Sequence, residues 1–170
     1  MSVLPRIETP REQRLAELGR DLLSAAYLQG DFVLSSGVKS RYYFDKYLFE
    51  TKPGILRRLA SFLAEMVPPQ TDRLAGPELG AVALATAVSL ETGLPFVIVK
   101  KEPKGYATSR LVEGELYPGE RVVVVEDVLT TGAQVLAILG VIDREQGGPE
   151  NIAAAGFQAK ALFRRSDLGL

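Results

Sequence analysis

The stretch Arg121–Gln134, RVVVVEDVLTTGAQ, decides how the rest of the chain is read. Val122 to Val125 run into Glu126 and Asp127, and Thr130-Thr131-Gly132 follows almost at once. A continuous β-branched run bounded by turn residues reads as a strand buried on both faces, as in a parallel sheet. Glu126 and Asp127 then stand where that strand ends. Ligands of open α/β sheets bind beyond the carboxyl ends of the strands. Thr130, Thr131 and Gly132 add backbone N–H groups, two hydroxyls and one position without Cβ, just ahead of an expected helix. That is the composition of a phosphate cradle at a helix N-terminus.

The two halves of the stretch make opposite demands. Carboxylates repel a phosphate, so they face something else. The vicinal hydroxyls of a ribose can donate to them while a 5′-phosphate lies in the turn beyond, and the economical ligand is a ribose 5-phosphate unit. The competing reading is a buried strand with a polar turn. The stretch resembles the phosphoribosyl-diphosphate (PRPP) signature of type I phosphoribosyltransferases.

Composition narrows the chemistry. The 170 residues suit one domain with a sizeable core. Lys+Arg is 20 and Asp+Glu is 21, a net charge of −1, so no basic excess points to nucleic acid. The chain has no cysteine and no histidine. Disulfides, thiol nucleophiles, the usual zinc sites and imidazole acid–base chemistry are thereby excluded. Any metal is a hard one held by oxygens, Mg²⁺ first among them. The opening MSVLPRIETPREQR lacks the apolar core of a signal peptide, and the longest apolar-leaning stretch, Leu79 to Leu90, is too short to cross a bilayer. The default expectation is a cytoplasmic protein with no membrane and no nucleic-acid partner.

Periodicity supplies the elements. Residues 11–29 carry Leu15, Leu18, Leu22, Leu23, Ala26 and Tyr27 at helical spacing. Extended pieces are expected at Phe32–Leu34 and Tyr42–Leu48, around Ser35-Ser36-Gly37. Pro53 opens a helix to about Met66, with Ile55, Leu59, Phe62 and Leu63 on one face. From Asp72 the grammar becomes strand, turn, helix: Arg73–Ala75, then Gly76 to Gly80, then Ala81–Thr92, with further strands at Phe96–Lys100 and Val122–Val125. Such alternation implies a parallel sheet. Residues 101–120 read as a long loop or hairpin. Only Ala133 to Ile142 separate the phosphate turn from Asp143-Arg144, too few for a complete crossover helix plus a strand. The helix there is short, or an element usual in this architecture is curtailed.

Lys100, Lys101 and Lys104 cluster at the end of a strand, in KKEPKGY. A diphosphate needs several cations as it binds and leaves, and a mobile loop can deliver them. A solvated lysine-rich loop is the competing reading. This segment is similar to the Arg/Lys-Lys-x-x-Lys-x-His-Gly loop of orotate phosphoribosyltransferases. Arg110–Gly114, Phe32–Asp45 (FVLSSGVKSRYYFD), Asp143–Gly148 (DREQGG) and the closing Ser166–Leu170 continue the resemblance, from about Leu15 to the C-terminus.

The resemblance implies an α/β fold of the type I phosphoribosyltransferase kind. A central parallel sheet would be flanked by helices, with a small N-terminal hood, in a single domain over residues 1–170. Residues up to about 50 and the C-terminal segment would form the hood, and about 70–145 the PRPP-binding core. It implies transfer of the phosphoribosyl group of PRPP to orotate in pyrimidine synthesis, with Mg²⁺ carried by PRPP and no metal site of the protein's own. Lys100, Lys101 and Lys104 would bind the diphosphate, some across a homodimer interface. Glu126 and Asp127 would hold the ribose hydroxyls. Val128, Leu129, Thr130, Thr131, Gly132, Ala133 and Gln134 would complete the PRPP site, Thr130 also reaching orotate. Arg144 would pair with the orotate carboxylate, a planar anion suited to a bidentate guanidinium. Tyr43 and Phe44 would lie beside the pyrimidine ring. Lys101, Lys104, Tyr106 and Asp127 are the candidate catalytic residues. Tyr43 and Phe44 also suit a plain core strand, and Arg144 a surface ion pair.

The chain departs from the family pattern in places. Tyr106-Ala107 replaces His-Gly, Ser35 replaces a lysine, and Glu78-Leu79 stands where many members have Tyr-Lys. Two other functions therefore remain: a phosphoribosyltransferase for another base, such as a purine, and a non-catalytic PRPP-binding regulator.

Overall fold

A computed structural model describes residues 9–33, 37, 39–102, 111–128, 137–154 and 156–169. Helix α1 (Arg11–Ala26) buries Leu18, Leu22 and Ala26, the face that the spacing predicts. It stops three residues short of the expected end. Tyr27 turns to extended backbone and opens strand β1 (Tyr27–Val33), which pairs antiparallel with β2 (Lys39–Phe44). The expected strand Tyr42–Leu48 divides at Asp45. Its Oδ1 accepts the Tyr47 N–H at 3.0 Å and starts a short helix, α2 (Tyr47–Glu50). A carboxylate satisfying an orphan helix N–H is the usual reason for such a break. Helix α3 (Pro53–Ala64) begins on its proline and buries Ile55, Leu59, Phe62 and Leu63.

The main sheet comprises β3 (Arg73–Pro77), β4 (Phe96–Val99), β5 (Val112–Glu113), β6 (Val122–Val128), β7 (Ala137–Asp143) and β8 (Ala159–Arg164). Its order is β5-β4-β3-β6-β7-β8. All pairings are parallel except β4 with β5. Helix α4 (Gly80–Thr92) links β3 to β4 and ends on Gly93, whose φ of 75° lets its N–H reach the Ser89 carbonyl at 2.8 Å. Helix α5 (Gly148–Ala154) links β7 to β8.

Alternate strand residues feed two layers. Val123, Val125, Leu139 and Val141 join the core built by α1, α3 and α4, around Leu18, Leu59, Leu63, Leu84 and Val88. Ile138 packs on the other face with Ile152 of α5, backed by Val124 and Phe157. This two-sided burial is what the valine run demands.

The segment leading to Asp143-Arg144, expected to hold a short helix or a curtailed element, ends in a strand: Ala137–Asp143 (AILGVID) is β7, in register with β6 from Val123↔Ala137 to Val128↔Ile142. A seven-residue run with no polar face suits a strand covered on both sides, and its first six residues are buried. The connection from β6 to β7 is therefore residues 129–136, which lie outside the described residues.

The amino ends of β3 and β6 are joined by charge. Buried Arg73 makes a two-pronged contact with Glu120, 2.7 Å in each arm, beneath the Tyr117 ring. Asp72 takes the side chain and backbone N–H of Arg121 at 2.8–3.1 Å. Those bonds hold the Asp72 carboxyl down at about 2. This end of the sheet is a clamp, which leaves the carboxyl ends for chemistry.

Candidate active site

The strand order reverses at β3. The chain steps from β3 out to β4 on one side, returns to β6 on the other side of β3, and continues to β7 and β8. Such a reversal opens a crevice beyond the carboxyl ends of the two central strands. Five strand ends meet at that edge: Pro77-Glu78 after β3, Lys100-Lys101 after β4, Glu126 to Val128 closing β6, Asp143-Arg144 after β7, and Arg164 to Ser166 after β8.

Gly76 lets β3 and α4 approach. A Cβ there would sit 2.7 Å from Ala85 Cβ and 2.9 Å from the Ala81 carbonyl oxygen. Glu78 follows in the turn, its N–H donating to the Val99 carbonyl at 2.7 Å. Its carboxylate accepts the Lys101 N–H at 2.7 Å, which ties the β3–α4 turn to the root of the lysine segment.

The lysines divide. Lys100 is buried, its Nζ 2.9 Å from Glu113 Oε1 on β5, and its N–H bonded to the Leu111 carbonyl. Lys101 is exposed. Lys104 and Tyr106 lie outside the described residues. Glu126 is half-buried within β6, opposite Gly140 of β7, and Asp127 and Val128 are the next residues of the same strand. Leu129, Thr130, Thr131, Gly132, Ala133 and Gln134 lie outside the described residues.

Arg144 is half-buried on the turn after β7. Among the described residues no carboxylate pairs with its guanidinium, so the surface ion-pair reading gains no support there. Its two neighbours are tied down instead. The Asp143 carbonyl accepts the Arg165 N–H at 2.9 Å, and the Glu145 N–H reaches Asp143 Oδ1 at 2.8 Å. Tyr43 and Phe44 sit on the β1–β2 ribbon. Phe44 packs against Phe49 at 5.9 Å and the main core, while Tyr43 stands against Phe32 at 5.6 Å, partly exposed.

Sequence reading passed over Glu113, Glu145 and Ser166 as site-shaping residues and met Glu78 only as a departure. Their roles are hydrogen bonds across long sequence separations, for which no local pattern exists. The one available signal was Glu78 itself, an acid placed directly after a Gly-Pro strand end.

The acid pair closing β6 and the cations at the neighbouring strand ends stand along one crevice of the sheet. Residues 50–160 match the phosphoribosyl transferase domain family, and the chain belongs to that family. The orotate phosphoribosyltransferase of Methanocella arvoryzae is 44% identical over 153 residues, covering 82% of this chain and 87% of the relative. That of Natronomonas pharaonis is 41% identical over 170 residues, covering 92% and 96%. The Mycobacterium tuberculosis orotate phosphoribosyltransferase, solved in complex with 5-phospho-α-D-ribosyl 1-diphosphate, has a TM-score of 0.76 at 28% identity, covering 92% of this chain and 99% of that one. Within the family, this chain stands with the orotate phosphoribosyltransferases.

Proposed function

We infer that this protein transfers the phosphoribosyl group of PRPP to orotate, giving orotidine 5′-phosphate and diphosphate in pyrimidine synthesis. The observation that carries the reading is the reversal of strand order at β3. It puts the Glu126-Asp127, Lys100-Lys101 and Asp143-Arg144 strand ends along one edge of one sheet.

The chemistry asks little covalent work of the protein. The deprotonated ring nitrogen of orotate attacks C1′ of PRPP. The bond from C1′ to the diphosphate oxygen breaks, and its electron pair leaves with the diphosphate. Positive charge develops at C1′ and negative charge on the leaving group, so catalysis comes from positioning and charge neutralisation. Glu126 and Asp127 accept the ribose hydroxyls and fix C1′. Thr130 to Gln134 take the 5′-phosphate. Lys100, Lys101 and Lys104 bind the diphosphate, and Tyr106 donates a hydrogen bond to it. Arg144 takes the orotate carboxylate, with Tyr43 and Phe44 near the ring. Mg²⁺ arrives with PRPP as part of the substrate, and a chain without thiol or imidazole offers only the hard oxygen donors that this ion prefers. A homodimer in the cytoplasm, with loop residues shared between protomers and the ribbon forming a hood, completes the proposal. Among the described residues no helix is long and apolar enough to cross a membrane.

The test is one assay with purified protein, Mg²⁺, PRPP and orotate, following orotate loss and diphosphate release. Orotate-dependent turnover is expected. Saturable PRPP binding with no orotate turnover would move the protein to another base or to a regulatory role.

A further inference from the structure

We propose that Glu145 is the positioning residue for Arg144, locking the turn that carries it onto the closing segment of the chain. The inference rests on the reading of Arg144 as the contact for the carboxylate of the base.

Glu145 has a φ of +55°, the one non-glycine residue with positive φ among those described. An L residue with a long side chain is rarely held there unless its surroundings fix it. Here they do. The Glu145 N–H donates to Asp143 Oδ1 at 2.8 Å. Its carboxylate takes two bonds from Ser166, the N–H at 2.9 Å on Oε2 and the hydroxyl at 2.8 Å on Oε1. The Arg165 N–H closes on the Asp143 carbonyl at 2.9 Å, and the Arg164 N–H on Asp167 Oδ2 at 2.9 Å. Both chain neighbours of Arg144 are thus fastened to a segment some twenty residues further on, while no carboxylate among the described residues takes the guanidinium.

Backbone geometry alone would favour glycine at position 145, because glycine adopts positive φ without a steric penalty. A glutamate there does what glycine cannot: its two oxygens grip both donors of Ser166. What that grip fixes is the root of Arg144. A guanidinium fork reads a planar carboxylate by two parallel bonds, so its value depends on a well-placed Cα and a side chain ordered before binding. The clamp supplies the first of these from outside the pocket. Selectivity for a carboxylate-bearing base is therefore built partly by Ser166, on the segment after β8.

The experiment measures KM for orotate and for PRPP in Glu145→Ala, Glu145→Gln, Ser166→Ala, Arg144→Ala and the Glu145→Ala/Arg144→Ala pair. Calorimetric binding of orotidine 5′-phosphate replaces KM wherever turnover is too slow to read. Glu145→Ala should raise the orotate KM roughly tenfold, the scale on which small misplacements act, with the PRPP KM within about twofold. Ser166→Ala should show a smaller change in the same direction. Glu145→Gln, whose amide oxygen can still accept from Ser166, should recover most of the loss. In the Arg144→Ala background Glu145→Ala should add nothing. An unchanged orotate KM in Glu145→Ala, an equal rise in both KM values, or an undiminished effect without Arg144 would overturn the clamp. An orotate KM indifferent to Arg144→Ala would overturn the reading of Arg144 itself.

Discussion

Gly76→Ala tests how the fold delivers Glu78 to the site. The added Cβ would meet Ala85 Cβ at 2.7 Å and the Ala81 carbonyl oxygen at 2.9 Å. Carbon pairs settle at about 3.5–4.0 Å, so α4 must lift from β3 by roughly 0.8 Å or more. Neither obstacle is the tip of a flexible side chain: one is a helix backbone atom and the other a methyl fixed to it. Helix α4 is also pinned by Leu84, Ala85 and Val88, all fully buried. Overpacking of this kind costs about 1–3 kcal/mol, and a rigid clash belongs in the upper half. For a domain of this length each kcal/mol is worth about 2–4 °C, so the melting temperature should fall by about 4–12 °C. Because Gly76 lies two residues before Glu78, the PRPP KM should rise as well. Scanning calorimetry and initial rates read both effects. Pairing the change with Ala85→Gly removes the closer contact, so the double variant should be more stable than the two single losses added together. Recovery stays incomplete, since the Ala81 contact remains and a helix glycine costs about 1 kcal/mol. A Gly76→Ala melting temperature within a degree of wild type would refute the packing argument.

Three further outcomes are expected. Asp72, held down to about 2 from its ordinary 3.8 by the Arg121 side chain and then its backbone N–H, stabilises the fold above about pH 4 and loses that contribution as pH falls toward 2. Asp72→Asn should therefore melt below wild type at pH 6 and converge with it near pH 2; parallel curves would remove the linkage. Lys101→Ala or Lys104→Ala should lower kcat by about 10²-fold with the melting temperature kept, and wild-type turnover in both would take the lysine segment out of the mechanism. Asp127→Asn should weaken PRPP binding in calorimetry, and an unchanged affinity would count against the ribose assignment.

The parallel core was legible because its residues cannot sit elsewhere. Val122–Val125 needs two covered faces, and Ile55, Leu59, Phe62 and Leu63 make one helix stripe. The ribbon was harder. Tyr27 continues the helical spacing of α1, yet it leaves the helix to pair with Phe44, a partner seventeen residues on that no window of periodicity contains. AILGVID could not be resolved into one element for a related reason. A short apolar run suits strand or buried helix, and only the open edge of β6 decides between them. In the site, residue types and strand ends were readable, but the bonds from Glu78 to Lys101 and from Glu145 to Ser166 join segments 23 and 21 residues apart.

The lysine segment shows how the structure refines a chemical expectation. Three ammonium groups at one strand end look equivalent in sequence, each a counter-ion for a departing diphosphate. Folding separates the first two. Lys100 is buried against Glu113, and a buried cation needs the carboxylate that compensates it. It can serve the diphosphate only by sharing or exchanging that partner. Lys101 stands at the surface with its backbone, not its ammonium, held by Glu78. Its charge can follow the leaving group while its root stays fixed to the β3–α4 turn. On the proposed reading the main electrostatic task falls to Lys101, while Lys100 ties β5 to the end of β4. That division also suits a chain without histidine. If the transition state is stabilised by cations already facing the leaving oxygens, a tyrosine at position 106 need only hydrogen-bond the diphosphate, not protonate it.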